Sequence, residues 1–475
     1  MIIDKEKRIT MAERFIEIKS PLDDSVLGKV LAMSKEEVDE KVFSAKHALK
    51  SWSEVPLYKR ADLLYQTADL LEQKIHELAE LLVREVAKDR KSAQSEVTRT
   101  ADFIRFTADI AKSMHGETIQ SDRFPGFENN KISLVTRVPI GVVLAISPFN
   151  YPVNLAASKI APALVAGNTV VFKPATQGAL SGMFLANIFY EAGFPKEVIT
   201  VVTGKGSEIG DYVVTHKEIN FINFTGSTEV GAHISQITTM VPVMMELGGK
   251  DAAIVLEDAD LDLAAKNIVA GGYSYSGQRC TAVKRILVEE SVADELVSKM
   301  KPLIEQLVVG NPLEKQVNVV PLINSQSADF VWSLMQETKN QGAILVTGEK
   351  REGNLIYPTL YDHVTTAMRL AWEEPFGPVL PVIRVKNMEE AIQIANESEY
   401  GLQSSIFSEN IDRAFYVADQ LEVGTVQINN KTERGPDHFP FLGVKSSGLG
   451  TQGIRYSIET MTRPKATVVN LRTPK

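Results

Sequence analysis

The sequence predicts an α/β fold built from two α/β lobes and a small β arm. From Gly141 onward, short runs of β-branched residues alternate with stretches long enough for a helix, which is typical of βαβ units in a parallel sheet. A second stretch of the same kind starts near Ala252. Two further segments, 122–138 and 466–471, contain runs of strand-forming residues, and the second alternates like an exposed strand.

The elements follow from these patterns in order. Before Gly141, apolar residues recur every three or four positions with charged residues between them, which predicts a packed layer of helices at 55–79 and 81–112. The first lobe is predicted to contain strands at 142–146, 169–172, 198–202, 221–224 and 241–245. Its predicted helices are at 153–165 and 180–191. The second lobe is predicted to contain strands at 253–256 and 285–288 and a helix at 293–307. We expect the segments 122–138 and 466–471 to pair as an arm that docks on another subunit.

The composition predicts a soluble, cytoplasmic protein. The chain has 475 residues, enough for two or three domains, and its single cysteine excludes an intramolecular disulfide. Residues 1–8 carry mixed charge with no apolar run after them, unlike a secretory signal, and no apolar run approaches the ~20 residues that a membrane span needs. A net charge of −9 argues against a non-specific nucleic-acid binder. The histidines form no pair with metal-ligand spacing, so no metal site is expected.

Two features of the chain suggest chemistry. Cys280, the only thiol, lies in a polar segment that begins at Gly277, of the kind that exposes a side chain to a cleft. By itself it is either a nucleophile or an inert buried residue. A predicted strand, a turn containing Gly226 and a predicted helix form an anion site, or a plain helix-entry turn. Lys173 follows another strand at the carboxyl edge of the sheet, where ligands bind in open α/β folds.

Six motifs in order resemble those of the aldehyde dehydrogenase superfamily, and the resemblance covers nearly the whole chain. They are Pro148-Phe149-Asn150-Tyr151-Pro152, Phe172-Lys173-Pro174, Phe224-Thr225-Gly226-Ser227-Thr228, Glu246-Leu247-Gly248-Gly249-Lys250, Gly277-Gln278-Arg279-Cys280 and Glu374-Pro375-Phe376-Gly377-Pro378. Within the superfamily the chain most resembles the non-phosphorylating, NADP-dependent glyceraldehyde-3-phosphate dehydrogenases. That match rests on Arg99, Thr176, the run from Tyr273 to Gln278 and the run from Asn429 to Gly435.

The resemblance implies the organisation of the chain. It implies a Rossmann-like, NADP-binding lobe (1–117 and 140–247), an α/β catalytic lobe (248–445) and a small β oligomerisation arm (118–139 and 446–475). It also implies a homotetramer, formed as a dimer of dimers.

The resemblance also assigns roles in the chemistry. Cys280 attacks the aldehyde, because a thiohemiacetal can be oxidised to an activated thioester. The side-chain amide of Asn150 and the backbone N–H of Cys280 stabilise the oxyanion. Glu246 activates the water that hydrolyses the thioester. From the residues alone, Asn150 could equally be a turn residue, whereas Glu246 is better explained as a solvated carboxylate at a strand end.

For the cofactor, the resemblance assigns Lys173 and Thr176 to the adenosine ribose and its 2′-phosphate. Thr176 favours NADP, because the Glu that is usual there in NAD-preferring relatives would repel a 2′-phosphate. The remaining cofactor residues are Gly226 and Ser227 at the pyrophosphate, Glu374 at the nicotinamide ribose, and Ser147, Asp211 and Phe376. The substrate residues are Arg99, Asn150, Tyr151, Arg279, Thr281 and Arg434, in which the arginines suit a phosphate.

The resemblance therefore predicts irreversible oxidation of D-glyceraldehyde 3-phosphate to 3-phosphoglycerate with NADP, in which water and not phosphate resolves the thioester. The alternative is another small acidic aldehyde, such as succinate semialdehyde, whose carboxylate the same arginines would hold. A cysteine hydrolase using His438, and a non-catalytic nucleotide-binding protein, are weaker alternatives. The chain departs from the family at Pro436 and His438, where Thr and Asn are usual, so the shape of the loop that carries Arg434 is open.

Overall fold

The structure is a computed structural model that describes residues 14–127, 130–314 and 316–472. The first eight residues, on which the absence of a secretory signal was predicted, lie outside the described residues. The helices are α1 Lys35–Ser53, α2 Leu57–Gln73, α3 Ile75–Val86, α4 Arg90–Ser113, α5 Asn154–Val165, α6 Ala179–Glu191, α7 Gly206–Val214, α8 Thr228–Ile237, α9 Leu261–Tyr273, α10 Glu290–Glu305, α11 Ser325–Asn340, α12 Met388–Asn396, α13 Ile411–Gln420 and α14 Ile454–Thr460.

The strands form two larger sheets and several short ones. They are β1 Phe15–Lys19, β2 Val26–Leu31, β3 Glu117–Gln120, β4 Lys131–Pro139, β5 Val142–Ile146, β6 Thr169–Lys173, β7 Ile199–Val201, β8 Phe221–Thr225, β9 Val243–Glu246, β10 Ala252–Val255, β11 Arg285–Glu289, β12 Ile344–Thr347, β13 Arg351–Glu352, β14 Leu355–Ile356, β15 Thr359–Asp362, β16 Val379–Val385, β17 Tyr400–Gly401, β18 Gln403–Phe407, β19 Thr425–Ile428, β20 Val444–Lys445, β21 Gly448–Leu449 and β22 Thr462–Asn470.

The first sheet has the strand order β21-β9-β8-β5-β6-β7 and is parallel from β9 to β7. All five parallel strands were predicted from the β-branched runs. In the register of the sheet, Ile146 pairs with Lys173, and Thr225 pairs with Glu246. The carboxyl ends of these strands therefore meet at one edge, where ligands bind in open parallel sheets.

The second sheet has the order β12-β15-β16-β11-β10-β18-β19, and only β12 runs antiparallel to its neighbour. It confirms the predicted second α/β stretch. The helix predicted at 293–307 begins three residues earlier, at Glu290, and ends at Glu305. Two apolar clusters, one on each face of the sheet, pack its strands against the helices of this half of the chain.

The predicted pairing of the two exposed segments is confirmed. β22 pairs with β4 along its whole length, from Thr462 opposite Pro139 to Asn470 opposite Lys131, and β3 extends the ladder. Docking of this three-stranded arm on another subunit stays a prediction.

The helical layer differs from the prediction in its boundaries. The periodic pattern over 55–79 and 81–112 corresponds to α2, α3 and α4, which break at Lys74 and at 87–89. Ala87 ends α3 in the left-handed conformation with φ of 52°, and the Asp89 carboxylate caps α4 by accepting from the Ser92 N–H. Apolar periodicity does not register such a short break, because it preserves the buried face on both sides.

No helix in the described part of the chain is long and apolar enough to cross a membrane. Among the same residues, no group of three or more His, Cys, Asp or Glu side chains could hold a metal ion.

Candidate active site

The carboxyl edge of the first sheet opens into a cavity of 460 Å³ that also reaches the cysteine loop. Of the residues predicted from sequence, it brings together Ser147, Asn150, Gly226, Ser227, Cys280, Glu374 and Phe376. These residues come from both halves of the chain, because the cavity lies between the strand ends of the first sheet and the loops of the second. The arrangement places a thiol, an amide and a helix N-terminus around one space.

The loop before Cys280 has an unusual backbone. Tyr275 and Ser276 are buried and lie in the left-handed region, with φ of 50° and 55°. Such a conformation costs free energy in residues other than glycine and persists only where the surroundings enforce it. Here the Ser276 hydroxyl donates to the Val320 carbonyl at 2.7 Å and accepts from the Val320 N–H at 2.8 Å. These two hydrogen bonds hold the strained loop and thereby help to fix the position of Cys280.

Gly277 explains why the cysteine loop begins with glycine. Its φ is 71°, and a Cβ there would lie 2.4 Å from the carbonyl oxygen of Gly377. The two glycines belong to motifs that are distant in the sequence, and in the structure the backbones of these motifs are in contact. No side chain larger than hydrogen fits at this contact.

Cys280 is half-buried, and burial raises the pKa of its thiol to about 11. Nearby Lys284 opposes this effect, whereas Glu246 adds to it. Lys284 also donates to the Cys280 carbonyl and forms an ion pair with Glu374 at 2.8 Å. In this state the thiol is protonated at neutral pH, so nucleophilic attack requires loss of that proton.

Asn150 is buried, and its side-chain N–H donates to the Gln278 carbonyl at 2.9 Å. An amide NH₂ carries two hydrogens, so this bond orients the group and leaves the second hydrogen for a ligand. Because Gln278 lies two residues before Cys280, the bond ties the amide directly to the cysteine loop.

Glu246 ends β9, as predicted, but it is buried rather than solvated. Its carboxylate accepts from the Thr225 hydroxyl at 3.1 Å and from the Arg434 guanidinium at 3.0 Å. The Thr225 hydroxyl in turn accepts from Lys159 at 2.7 Å. Burial lowers the pKa of Lys159 to about 8, although Glu246 opposes that shift. Glu246 is thus held in a polar network beside the cavity and does not line it.

Two of the predicted cofactor residues have polar groups without partners. The Ser147 hydroxyl is buried and makes no hydrogen bond to any residue that the structure describes, although it lines the cavity. The Lys173 ammonium is also buried, has no hydrogen-bond or ion-pair partner among the described residues, and burial lowers its pKa to about 8. Unpartnered buried polar groups are costly, and both face an edge where a ligand could satisfy them.

The other predicted cofactor residues are placed differently. The Gly226 N–H donates to the Glu246 carbonyl at 3.3 Å, and a Cβ on Gly226 would meet the Phe224 ring at 2.5 Å, so packing against this ring favours glycine here. Ser227 caps α8, which leaves N–H groups of its first turn directed at the cavity. Thr176 and Asp211 do not line the cavity, and exposed Asp211 pairs with His233 at 2.9 Å.

Three of the predicted substrate residues line two further cavities, each of 520 Å³. Arg99 lines both, Tyr151 the first, and Arg434 the second. The Arg99 guanidinium donates two hydrogen bonds of 2.7 Å to the Asp437 carboxylate, which also lies 3.6 Å from Arg434. Both arginines are therefore balanced by carboxylates in this structure.

Arg279 and Thr281 flank the cysteine. The Arg279 guanidinium donates to the Gly271 carbonyl at 2.6 Å, and its Nε is buried without a partner. Thr281 is buried, and its carbonyl accepts from the Thr432 hydroxyl at 2.9 Å. Neither residue is among those that line the 460 Å³ cavity.

Sequence reasoning missed several residues that contact this site: Lys88, Glu96, Lys159, Lys284 and Asp437. Asp437 lies between Pro436 and His438, the two positions at which the sequence departs from the family. This departure could have pointed to Asp437. The lysines carried no signal, since a buried lysine has the same appearance in a sequence as an exposed one.

Comparison with known proteins identifies the family to which this chain is similar. A sequence model of the aldehyde dehydrogenase family matches residues 9–467. The NADP-dependent glyceraldehyde-3-phosphate dehydrogenase of Streptococcus equinus is 55% identical over 461 residues, which cover 97% of this chain and 97% of that protein. The protein of the same name from Pisum sativum is 51% identical, with coverage of 99% and 95%.

Among solved structures, the chain is similar to the NADP-dependent glyceraldehyde-3-phosphate dehydrogenase from Bacillus halodurans C-125 complexed with NADP. The TM-score is 0.96 at 57% sequence identity, and the match covers 97% of each chain.

Proposed function

This chain belongs to the aldehyde dehydrogenase family, and from that premise we propose that it oxidises D-glyceraldehyde 3-phosphate to 3-phosphoglycerate with NADP. The reaction is irreversible and uses water instead of inorganic phosphate. The observation that carries the proposal is that Cys280 shares one cavity with Asn150 and with the helix N-terminus at Ser227. Relatives at 55% and 51% identity bear the name of this activity.

The chain's own residues fit NADP. The unpartnered Ser147 hydroxyl and Lys173 ammonium supply donors at the sheet edge. Lys173 and Thr176 would hold the adenosine ribose and its 2′-phosphate, and the α8 N-terminus the pyrophosphate. Glu374 would accept from the nicotinamide ribose, and Phe376 and Asp211 complete the set. When bound, NADP supplies the two-electron acceptor.

The Cys280 thiol first loses its proton to water, and the resulting thiolate attacks the aldehyde carbon. A carbon–sulfur bond forms, and the carbonyl oxygen gains the negative charge. Asn150 holds an amide hydrogen next to the cysteine loop for that oxygen, and the backbone N–H of Cys280 is the second donor. The bond from Asn150 to Gln278 fixes this geometry before the substrate arrives, which is the condition for effective electrostatic stabilisation.

Loss of a hydride from the thiohemiacetal carbon, for which bound NADP would be the acceptor, leaves the thioester, and the last chemical step is its hydrolysis. Glu246 accepts a proton from the attacking water, and the Cys280 thiolate leaves. The hydrogen bonds from Thr225 and Arg434 hold the buried carboxylate in place for this role. The carboxylate does not line the cysteine cavity in this structure, so this step requires it to turn towards the thioester.

The substrate phosphate is bound by Arg99, Arg279 and Arg434 together with Tyr151. Arg99 and Arg434 line one cavity, and guanidinium groups suit a dianion because each offers a fixed fork of donors. The Arg279 Nε, buried without a partner, supports this assignment. Thr281 and Asn150 complete the substrate contacts. A carboxylate such as that of succinate semialdehyde carries less charge and suits these cations less well.

The wider organisation is also part of the proposal. We assign 1–117 and 140–247 to the NADP-binding domain, 248–445 to the catalytic domain, and 118–139 and 446–475 to an arm of a cytoplasmic homotetramer. The exposed apolar side chains Leu134 and Val468, at 44% and 55%, support a covered arm in the assembly.

Thr176 tests the cofactor assignment. We expect Thr176→Glu to weaken NADP binding by about 100-fold, because a carboxylate beside the 2′-phosphate repels it and several kcal/mol are typical of opposed like charges. NAD binding should strengthen, because Glu accepts hydrogen bonds from the free 2′- and 3′-hydroxyls. Titration of the protein with each nucleotide measures both effects. Thr176→Gln, which adds the same bulk without charge, is the control. Equal weakening by both variants would contradict the electrostatic explanation.

The function is tested by NADPH formation in a buffer free of phosphate and arsenate. We expect rapid NADPH formation from D-glyceraldehyde 3-phosphate, with 3-phosphoglycerate as the product, and much slower reaction with NAD or with succinate semialdehyde. Activity only on succinate semialdehyde would reassign the arginines to a carboxylate. Dependence on added phosphate would reject hydrolysis.

A further inference from the structure

A buried ion pair from the helical layer reaches the loop that carries the oxyanion amide. Lys88 follows α3 and Glu96 lies on α4, and both side chains are completely excluded from solvent. The Lys88 ammonium donates to the backbone carbonyl of Asn150 at 2.7 Å. Glu96 accepts from the N–H groups of Val153 and Asn154, each at 3.0 Å. The pair therefore holds the loop at both ends.

The start of helix α5 needs this external acceptor. Its N-cap residue is Val153, whose side chain cannot accept a hydrogen bond, and every residue of the helix is buried. Unsatisfied N–H groups at a buried helix start are costly, and the positive end of the helix dipole favours an anion. The Glu96 carboxylate satisfies both requirements from a different helix.

Lys88 makes a second set of contacts that reach the substrate side. Its ammonium lies 3.7 Å from the ring centroid of Tyr151 and 4.7 Å from that of Tyr275. Tyr275 belongs to the strained loop before Cys280, and its hydroxyl donates to the Val86 carbonyl at 2.8 Å. One ammonium thus contacts the oxyanion loop, a proposed phosphate ligand and the cysteine loop.

We propose that Lys88 and Glu96 are positioning residues that set the geometry of Asn150 and Tyr151 for the reaction. The inference rests on the proposed function. Removing one partner of a buried pair is strongly destabilising, whereas replacing both by uncharged residues is often tolerated, so the charges of such a pair add little stability beyond that of uncharged residues in the same places. Its value here is the fixed position of a loop in which a misplacement of about 1 Å can cost 100-fold in rate.

The test is the double variant Lys88→Met/Glu96→Gln, which leaves no unpaired buried charge. The readouts are the single-turnover rate of NADPH formation with enzyme in excess, the affinity for NADP and the midpoint of thermal unfolding. We expect the single-turnover rate to fall by about 100-fold, while the affinity for NADP changes by less than about twofold because the pair contacts none of the proposed cofactor residues.

Arg60→Met is the matched control. Arg60 is a buried cation that holds the opposite end of the same helix, donating to the carbonyl of Val165 at 2.9 Å and of Val55 at 2.8 Å. It should lower the unfolding midpoint and leave the single-turnover rate unchanged. If the double variant does not fold, Glu96→Asp keeps the charge but shortens the reach by one methylene, and should also slow the single turnover.

A wild-type single-turnover rate in either pair variant would overturn the proposal. The proposal would also be overturned if Arg60→Met lost single-turnover rate and thermal stability to the same extent as the double variant. The loss of rate would then be a general effect of disturbing helix α5. Failure of the proposed function would look different, because the wild-type protein would then form no NADPH from D-glyceraldehyde 3-phosphate at all.

Discussion

Cys280→Ser should abolish the first turnover of NADPH, with a fall of more than about 1,000-fold in its rate. A serine hydroxyl is a far weaker nucleophile at neutral pH, and the described residues that line this cavity include no histidine to activate it. Since Cys280 is the only cysteine, no other thiol can substitute. Stopped-flow detection of NADPH after mixing with D-glyceraldehyde 3-phosphate measures the effect.

The control for Cys280→Ser is binding of NADP, which should be retained because the substitution removes no proposed cofactor contact. Retained binding would show that the cavity is intact and that only the chemistry is lost. A first turnover at more than a few per cent of the wild-type rate would remove Cys280 as the nucleophile.

Glu246→Gln should separate oxidation of the substrate from hydrolysis of the thioester. We expect a burst of NADPH equal in amount to the enzyme, followed by a steady-state rate lowered by about 100- to 10,000-fold, the usual contribution of general base catalysis. Oxidation of the thiohemiacetal precedes the hydrolysis that needs the base, so the burst survives. The amide of Gln can still accept from Thr225 and Arg434 through its oxygen, which preserves the surrounding network.

Glu85→Gln is the matched control for that variant. Glu85 is another buried carboxylate, and it accepts from the N–H groups of Leu180 and Ser181 at 2.8 Å, at the start of helix α6. Burial raises the pKa of this carboxyl, and it contacts no residue of the proposed catalytic set. Its substitution should leave the ratio of burst to steady-state rate as in the wild type. Normal turnover by Glu246→Gln would show that another group activates water.

The fold was largely predictable because both sheets are built from β-branched runs separated by helix-length stretches. The errors lie at the helix ends. The break between α3 and α4 depends on the left-handed Ala87 and the capping Asp89, and neither interrupts the apolar period. Local hydrogen bonds to the backbone decide such boundaries, and a pattern of apolar residues does not contain them.

The site was predictable to the extent that short motifs carry it. Cys280, Asn150 and Glu374 were found from their motifs, and they line one cavity. The contacts that orient them were not, because they join residues distant in sequence. Lys88 and Asn150 are 62 positions apart, and Arg434 and Glu246 are 188 apart. Only the folded chain reveals that a carboxylate expected at the solvent edge is buried beside an arginine.

The central claim is that Cys280 carries the oxidised substrate as a thioester that water resolves. The measurement that tests it most directly is the mass of Glu246→Gln after mixing with NADP and D-glyceraldehyde 3-phosphate, followed by peptide mapping. We predict one added 3-phosphoglyceryl group on the peptide that contains Cys280, in an amount equal to the NADPH burst. NADPH formation with an unmodified Cys280, or with the acyl group on another residue, would contradict the account.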